Sequence, residues 1–268
     1  MYDFELLKPT SLADAVAALQ DEDAQALGGG QTLLPTMKAR LAQTDRLVSL
    51  AHVPEIKGIC TDDAGRICIG GGTTHGACAK EMADSYPALA SLAARIGDPA
   101  VRARGTIGGS LANDDPSACW PAGALGSGAT IVVTGPGDAR EIASDDFFQG
   151  MFTTALDDGE IVTEVRFPVP EAAAYEKFIQ PASRFPLVAA FVAKFADGVR
   201  VAITGASSDG VFRWSEAEAA LSSEFSAGAL DQVAAPEAGG MISDLHGSGE
   251  YRAHLVKVMT RRAVQAVA

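Results

Sequence analysis

The chain has 268 residues, 47% hydrophobic and 21% charged, an ordinary globular composition with room for one large or two smaller domains and a sizeable core. Its 21 basic and 34 acidic residues leave a net charge of −13, which repels nucleic acid and anionic membranes but still allows a local basic patch for an anionic ligand. No apolar run approaches the ~18 residues of a membrane span. Met1-Tyr2-Asp3-Phe4-Glu5 has neither the basic start nor the apolar stretch of a signal peptide, so a cytoplasmic protein is expected.

Ser11 is a candidate N-cap for a short helix with Leu12, Ala15, Val16 and Leu19 on one face. Residues 24–27 read as a buried strand running into a glycine loop, residues 33–41 as a helix and 47–50 as a strand. They make a small α/β lobe ending near residue 54. In a second lobe, Ile59-Cys60-Thr61 and Ile67-Cys68-Ile69 flank Asp62-Asp63-Ala64-Gly65 as a hairpin. Pro87 starts a helix with apolar positions Leu89, Leu92 and Ile96, and residues 130–133 form a strand. Pro168-Val169-Pro170 interrupts both helix and sheet and is the linker candidate. Strands at 187–195 and 199–204 follow, around the turn Ala196-Asp197-Gly198, then a helix at 214–221. Residues 226–240 stay open between helix and loop. Tyr251, Leu255, Val258 and Met259 make one stripe of a last helix reaching residue 267.

Two segments carry the chemistry: Gly28-Gly29-Gly30-Gln31-Thr32 and Gly105-Thr106-Ile107-Gly108-Gly109-Ser110. Each sets consecutive glycines beside a hydroxyl residue, where the backbone can approach an anion and offer N–H groups to it. Either alone could be a tight turn; together they suggest an extended diphosphate gripped from two sides. Neither fits the dinucleotide fingerprint or the P-loop. Gly70-Gly71-Gly72-Thr73-Thr74-His75 is either a third wall of that site or a strand-ending turn. Cys60, Cys68, Cys78 and Cys119 are spaced for neither zinc nor iron–sulfur ligation and read as four buried, reduced thiols. The four histidines match no metal motif, and no metal site is expected.

The sequence resembles a known family through Gly29-Gly30-Gln31-Thr32-Leu33-Leu34-Pro35 with Met37-Lys38-Ala39-Arg40-Leu41, and through the run from Arg102 to Asn113 with Asp115-Pro116. Phe147-Phe148, Phe152-Thr153-Thr154-Ala155-Leu156, Gly159-Glu160, Thr163-Glu164, Pro181-Ala182-Ser183-Arg184 and the tail from Asp244 to Arg252 extend the likeness over nearly the whole chain. These segments resemble the FAD-binding medium subunit of the molybdenum hydroxylases. That family includes aerobic carbon monoxide dehydrogenase and the flavin domain of xanthine dehydrogenase.

The resemblance implies an α+β fold: a two-lobed FAD-binding domain of the vanillyl-alcohol oxidase type over residues 1–170 (lobes about 1–54 and 55–170), then a smaller α+β domain over 171–268. It implies that Gly28, Gly29, Gly30, Gln31, Thr32, Leu33 and Leu34 hold one side of the FAD diphosphate, and Thr106, Gly108, Gly109 and Ser110 the other. Ile96 and Val162 fall at apolar flavin contacts or are simply core. Asp115 orients a ribityl or ribose hydroxyl or caps a turn. Lys177 either lies near the flavin ring, favouring its reduced anionic form, or is a solvated surface lysine. Cys119 stands where relatives carry an acidic residue, which puts one polar FAD contact in doubt, and Trp120 packs against the cofactor or the second lobe. The function implied is electron transfer through FAD, with no catalytic side chain of this chain's own. The partners implied are an iron–sulfur small subunit and a molybdopterin large subunit, in a heterotrimer paired by two-fold symmetry. A stand-alone flavin dehydrogenase or oxidase and a flavin-free scaffold subunit are the alternatives.

Overall fold

The computed structural model describes residues 1–267. The first lobe contains β1 (Glu5–Leu7), α1 (Leu12–Ala18), β2 (Ala24–Leu27), α2 (Leu33–Lys38) and β3 (Arg46–Ser49). Its three strands are parallel in the order β1-β3-β2. Ser11 caps α1 by accepting the Asp14 N–H at 3.1 Å, and Ala15, Val16 and Leu19 are buried. β2 is only half-buried rather than buried as expected, because it is an edge strand and β3 takes the centre. The second helix stops at Lys38, short of the expected residue 41. Arg40 there adopts a left-handed φ of +60°, with the Leu41 N–H returning to Thr36 O and the Arg40 N–H to Met37 O. This is a Schellman stop with arginine in the position glycine usually takes.

The second lobe runs through β4 (Ile59–Thr61), β5 (Ile67–Gly70), α3 (His75–Glu81), α4 (Pro87–Ala94), α5 (Pro99–Arg102), α6 (Ile107–Asn113) and α7 (Trp120–Ser127). It continues with β6 (Thr130–Thr134), β7 (Arg140–Ala143), α8 (Ser144–Phe147), β8 (Phe148–Gly150), β9 (Thr153–Thr154) and β10 (Ile161–Phe167). Five strands pair antiparallel in the order β4-β5-β10-β6-β7. Strand alternation sends Ile67, Ile69, Ile131, Val133, Val165 and Phe167 into one core with Leu89, Leu92, Ile107, Leu111 and Trp120 of the helices.

The remaining elements are β11 (Ala172–Ile179), β12 (Pro186–Phe195), β13 (Gly198–Thr204), β14 (Phe212–Arg213), α9 (Ser215–Ser223) and α10 (Gly249–Gln265). The four strands form an antiparallel sheet in chain order. Val188, Ala190 and Val192 pack against Leu255, Val256 and Met259 of α10. Ala189, Phe191 and Ala193 face the other way and join the core of the second lobe. Burial on both faces explains why β12 reads as an unbroken apolar run. Pro168-Val169-Pro170 does separate β10 from β11, yet hydrophobic packing is continuous across it.

On α10 the expected stripe is rotated. Leu255 and Met259 are buried, but Tyr251 is 42% exposed and Val258 only half-buried. The buried Arg252 takes the inward place, donating to Leu187 O at 2.7 Å and Gly205 O at 2.8 Å and pairing with Asp244 at 2.8 Å. Residues 226–240 resolve into two short 3-10 turns, Ala227–Leu230 and Ala238–Gly240. All four cysteines are free thiols, but Cys60 is exposed, which corrects the reading of four buried ones.

Candidate functional site: a cleft between three glycine segments

A cleft of about 770 Å³ opens between the lobes and the C-terminal sheet, a size ordinary for a ligand pocket. Glycine is what lets its walls come together. A Cβ on Gly29 would stand 2.5 Å from Gly105 Cα and collide with the Arg104 carbonyl. A Cβ on Gly108 would lie 2.7 Å from Gly71 O, and one on Gly71 would run into the Val162 carbonyl. Backbone bonds lock the same stack: Gly71 N–H to Thr163 O at 2.8 Å, Gly108 N–H to Gly71 O at 2.8 Å and His75 N–H to Gly105 O at 2.9 Å. Gly71, Gly72, Thr74 and His75 line the cleft, so the segment from Gly70 to His75 forms a third wall.

The two principal loops offer different chemistry. Among the described residues, the backbone N–H groups of Gly29, Gly30, Gln31 and Thr32 donate to no protein acceptor, although all four residues line the cleft. In the second loop the N–H groups of Ile107, Gly108, Gly109 and Ser110 are committed to Thr73 O, Gly71 O, Thr106 Oγ1 and Thr106 O. That loop is therefore a rigid capped helix start, and it turns an exposed glycine and the Ser110 side chain toward the cleft. The expectation that both loops present free N–H groups holds for the first, whereas in the second only the Thr106 N–H has no protein acceptor among the described residues. Lys57, Arg104, Lys177 and Arg184 also line the cleft, with Asp115 and Glu160 as its carboxylates. This is a basic lining in an acidic chain. Free N–H donors beside cations fit an anionic, phosphate-bearing ligand.

Leu33, Ile96, Thr106 and Val162 line the cleft too. Leu34 does not: it packs under Gly30, where an added Cβ would meet Leu34 Cδ1 at 2.9 Å. Asp115 both caps a turn, accepting the Ser117 N–H at 2.8 Å, and lines the cleft, and burial raises its pKa. Lys177 is not a solvated surface lysine. It is 6% exposed, and its Nζ donates to Arg95 O at 2.9 Å and contacts Cys119 Sγ at 3.5 Å. Burial lowers its pKa, which the neighbouring Cys119 opposes. Trp120 packs in the second lobe, fully buried, and donates from Nε1 to His75 Nδ1 at 3.0 Å. Burial, helped by the Arg102 charge, pushes the His75 pKa down to about 4, which leaves Nδ1 free to accept that bond. Asp114 sits beside the site in left-handed conformation. Both its carboxylate oxygens are buried without a partner, and burial plus Asp115 push it up to about 7.

Lys57 and Arg104 were not singled out as ligand residues from sequence, nor was the turn from Ser183 to Pro186 that also lines the cleft, and His75 entered only as the end of the possible third wall. The only signal for these was their position beside the glycine motifs or within the Pro181-Ala182-Ser183-Arg184 motif. Among the described residues no group of three or more His, Cys, Asp or Glu could hold a metal ion. No helix there is long and apolar enough to cross a membrane.

Residues 2–170 match the family described as the FAD binding domain in molybdopterin dehydrogenase. The chain is 35% identical over 276 residues to the carbon monoxide dehydrogenase medium chain of Afipia carboxidovorans, covering 98% of this chain and 96% of that one. It is 35% identical over 271 residues to the nicotine 6-hydroxylase medium subunit of Paenarthrobacter nicotinovorans, covering 96% and 94%. Its fold superposes on a chain of reconstituted CO dehydrogenase from Oligotropha carboxidovorans with a TM-score of 0.90 at 34% identity, covering 99% and 98% of the two chains. On quinoline 2-oxidoreductase from Pseudomonas putida 86 the TM-score is 0.87 at 28% identity, covering 98% and 96%.

Proposed function

The chain belongs to the family of FAD-binding medium subunits of the molybdenum hydroxylases, and from that premise we propose that it is the flavin relay of a multi-subunit oxidoreductase. In this reading electrons arrive from an iron–sulfur subunit, which receives them from a molybdopterin subunit, and leave to an external acceptor. The assembly is a heterotrimer paired by two-fold symmetry in the cytoplasm.

The observation that carries the reading is the cleft: unpaired backbone donors at Gly29 to Thr32 inside a cation-bearing wall. FAD, when bound, supplies reversible one- and two-electron transfer, while the protein binds and tunes it. The N–H groups of the first loop and the hydroxyls of Thr32 and Ser110 would take the diphosphate oxygens, with Lys57 and Arg104 as countercharge. The Asp115 carboxylate would accept from a sugar-alcohol hydroxyl. Ile96 and Val162 would exclude water from the apolar end. Lys177 would hold a positive charge at the cleft wall. Because a thiol accepts weakly where a carboxylate would pair strongly, Cys119 steers the Lys177 ammonium without offsetting its charge. Position 119 then serves the lysine rather than the cofactor.

The test is to purify the full chain, record its visible spectrum with and without added FAD, and identify what copurifies from the native source. Bound flavin together with iron–sulfur and molybdenum-containing chains is the expected result. Failure to bind FAD refutes any flavin role, and substrate turnover by the isolated chain replaces the relay with an independent dehydrogenase.

A further inference from the structure

Away from the cleft, the edge hairpin brings two of the four thiols together. The antiparallel register sets Cys60 of β4 directly opposite Cys68 of β5. Ladder bonds flank the pair two residues away on either side: Gly70 N–H to Gly58 O at 2.9 Å, and Asp62 N–H to Arg66 O at 3.1 Å. By the alternation of an antiparallel ladder, Cys60 and Cys68 therefore occupy a hydrogen-bonded position, where opposite Cα atoms are about 5.5 Å apart. That separation lies inside the ~4.4–6.8 Å range of disulfides. The Cβ atoms, about 5.5 Å apart at such a position, must draw together by about 1 Å for the bond to close, a movement an edge strand such as β4 can make.

Opposite residues share a face. Here it is the face turned away from the helical core, since Ile67 and Ile69 point inward on either side of Cys68. Both thiols line a shallow depression of about 490 Å³ with Lys57, Glu164 and Arg166. Cys60 is exposed, Cys68 is 4% exposed, and both are reduced.

We propose that Cys60 and Cys68 form a cross-strand dithiol site that hydrogen peroxide converts to an intramolecular disulfide. The exposed Cys60 sulfur attacks a peroxide oxygen; an S–O bond forms, the O–O bond breaks, and the departing hydroxide takes a proton to leave as water. The Cys68 sulfur then displaces the hydroxyl group from Cys60, which leaves as a second water as the S–S bond closes. Two thiols lose two hydrogens and two electrons, and one peroxide becomes two waters. The order follows from access, and it agrees with the Cys68 thiol being pushed up to about 11 by burial and by Glu164. Closure ties the edge strand β4 to β5, whose continuation through Gly71 and Gly72 walls the cleft. Cys78, on α3, and Cys119, just before α7, are buried and have no register-opposed thiol, so they serve as internal controls.

The test treats the purified full chain, with FAD added, with hydrogen peroxide, followed by denaturation, alkylation and peptide mapping. The expected product has lost two hydrogens, carries a linked Cys60–Cys68 peptide, resists alkylation at those two positions only, and regains it with dithiothreitol. Cys68→Ser should instead accumulate a dimedone-reactive sulfenic acid at Cys60, and Cys60→Ser should leave Cys68 alkylatable. The proposal is overturned if both thiols remain alkylatable after peroxide, if Cys60 proceeds to sulfinic acid with Cys68 still free, or if Cys60 links two chains. The wild-type linkage map decides by itself should either variant fail to fold.

Discussion

Replacing Gly29 with alanine puts a methyl group where the two glycine loops touch. The new Cβ would stand 2.5 Å from both Arg104 C and Gly105 Cα, which are backbone atoms that cannot swing aside. Overpacking of this kind costs about 1–3 kcal/mol. The second loop is held by the four bonds from Ile107 to Ser110, whereas the first follows an edge strand and has unpaired N–H groups. The strain therefore displaces the first loop, and with it the donors proposed for the diphosphate. If the whole cost falls on ligand binding, FAD affinity drops about 5- to 150-fold, with a smaller change in the stability of the FAD-free chain. Titration of the FAD-free chain by flavin fluorescence, alongside a denaturant melt of each variant, separates the two effects. Gly137→Ala is the control, since its added Cβ meets nothing within 4 Å. A Gly29→Ala dissociation constant close to that of Gly137→Ala would refute the assignment of the first loop as the anion cradle.

Lys177→Met removes a buried cation from the cleft wall; the midpoint potential of bound FAD should fall by about 30 mV, equivalent to about 1.4 kcal/mol for a two-electron couple. An unchanged potential in a spectroelectrochemical titration would remove Lys177 from the flavin's surroundings. His75, pushed from 6.5 down to about 4, contributes stability that is complete above its unfolded value and lost as pH falls toward 4. Asp114, pushed from 3.8 up to about 7, has the opposite sign: its contribution is complete below the unfolded value and lost as pH rises through about 7. The two oppose each other in mildly acidic solution, so Asp114→Asn should unmask a stability that climbs with pH by up to about 1.4 kcal/mol per unit. Urea midpoints across that range check it, and a flat profile in the variant contradicts it. Arg252→Met strips the donor from the buried Leu187 and Gly205 carbonyls and from the half-exposed Asp244 and should cost about 2–4 kcal/mol, mainly through the two orphaned carbonyls; a denaturant melt showing a loss of less than about 1 kcal/mol would show that these bonds matter little.

Signals confined to a few neighbouring residues were legible in the sequence. Ser11 caps its helix, Pro87 opens another, and the hairpin turns at 62–65 and 196–198 lie between the strands expected there. Each depends on a local preference of φ or a single side-chain bond, which the order of residues already contains. The glycine loops were legible for the same reason, and family resemblance supplied their ligand. Burial was harder to read. Leu33 and Leu34 are chemically alike, yet only Leu33 reaches the cleft, because facing depends on how a short helix is docked. On α10 Leu255 and Met259 are buried as the stripe requires, but the first inward place goes to Arg252 rather than Tyr251, which hydrophobicity does not signal.

Residue identity and short spacing carry the two glycine loops and the hairpin over 59–69, and the family resemblance that these motifs support implies the α+β class and FAD. Only the packed chain shows which loop keeps most of its N–H groups free, that Lys177 is buried against Cys119, and that Arg252 is turned inward. Those facts depend on which distant segments are packed together. The availability of a donor and the burial of a charge are properties of a neighbourhood that no local stretch of chain contains.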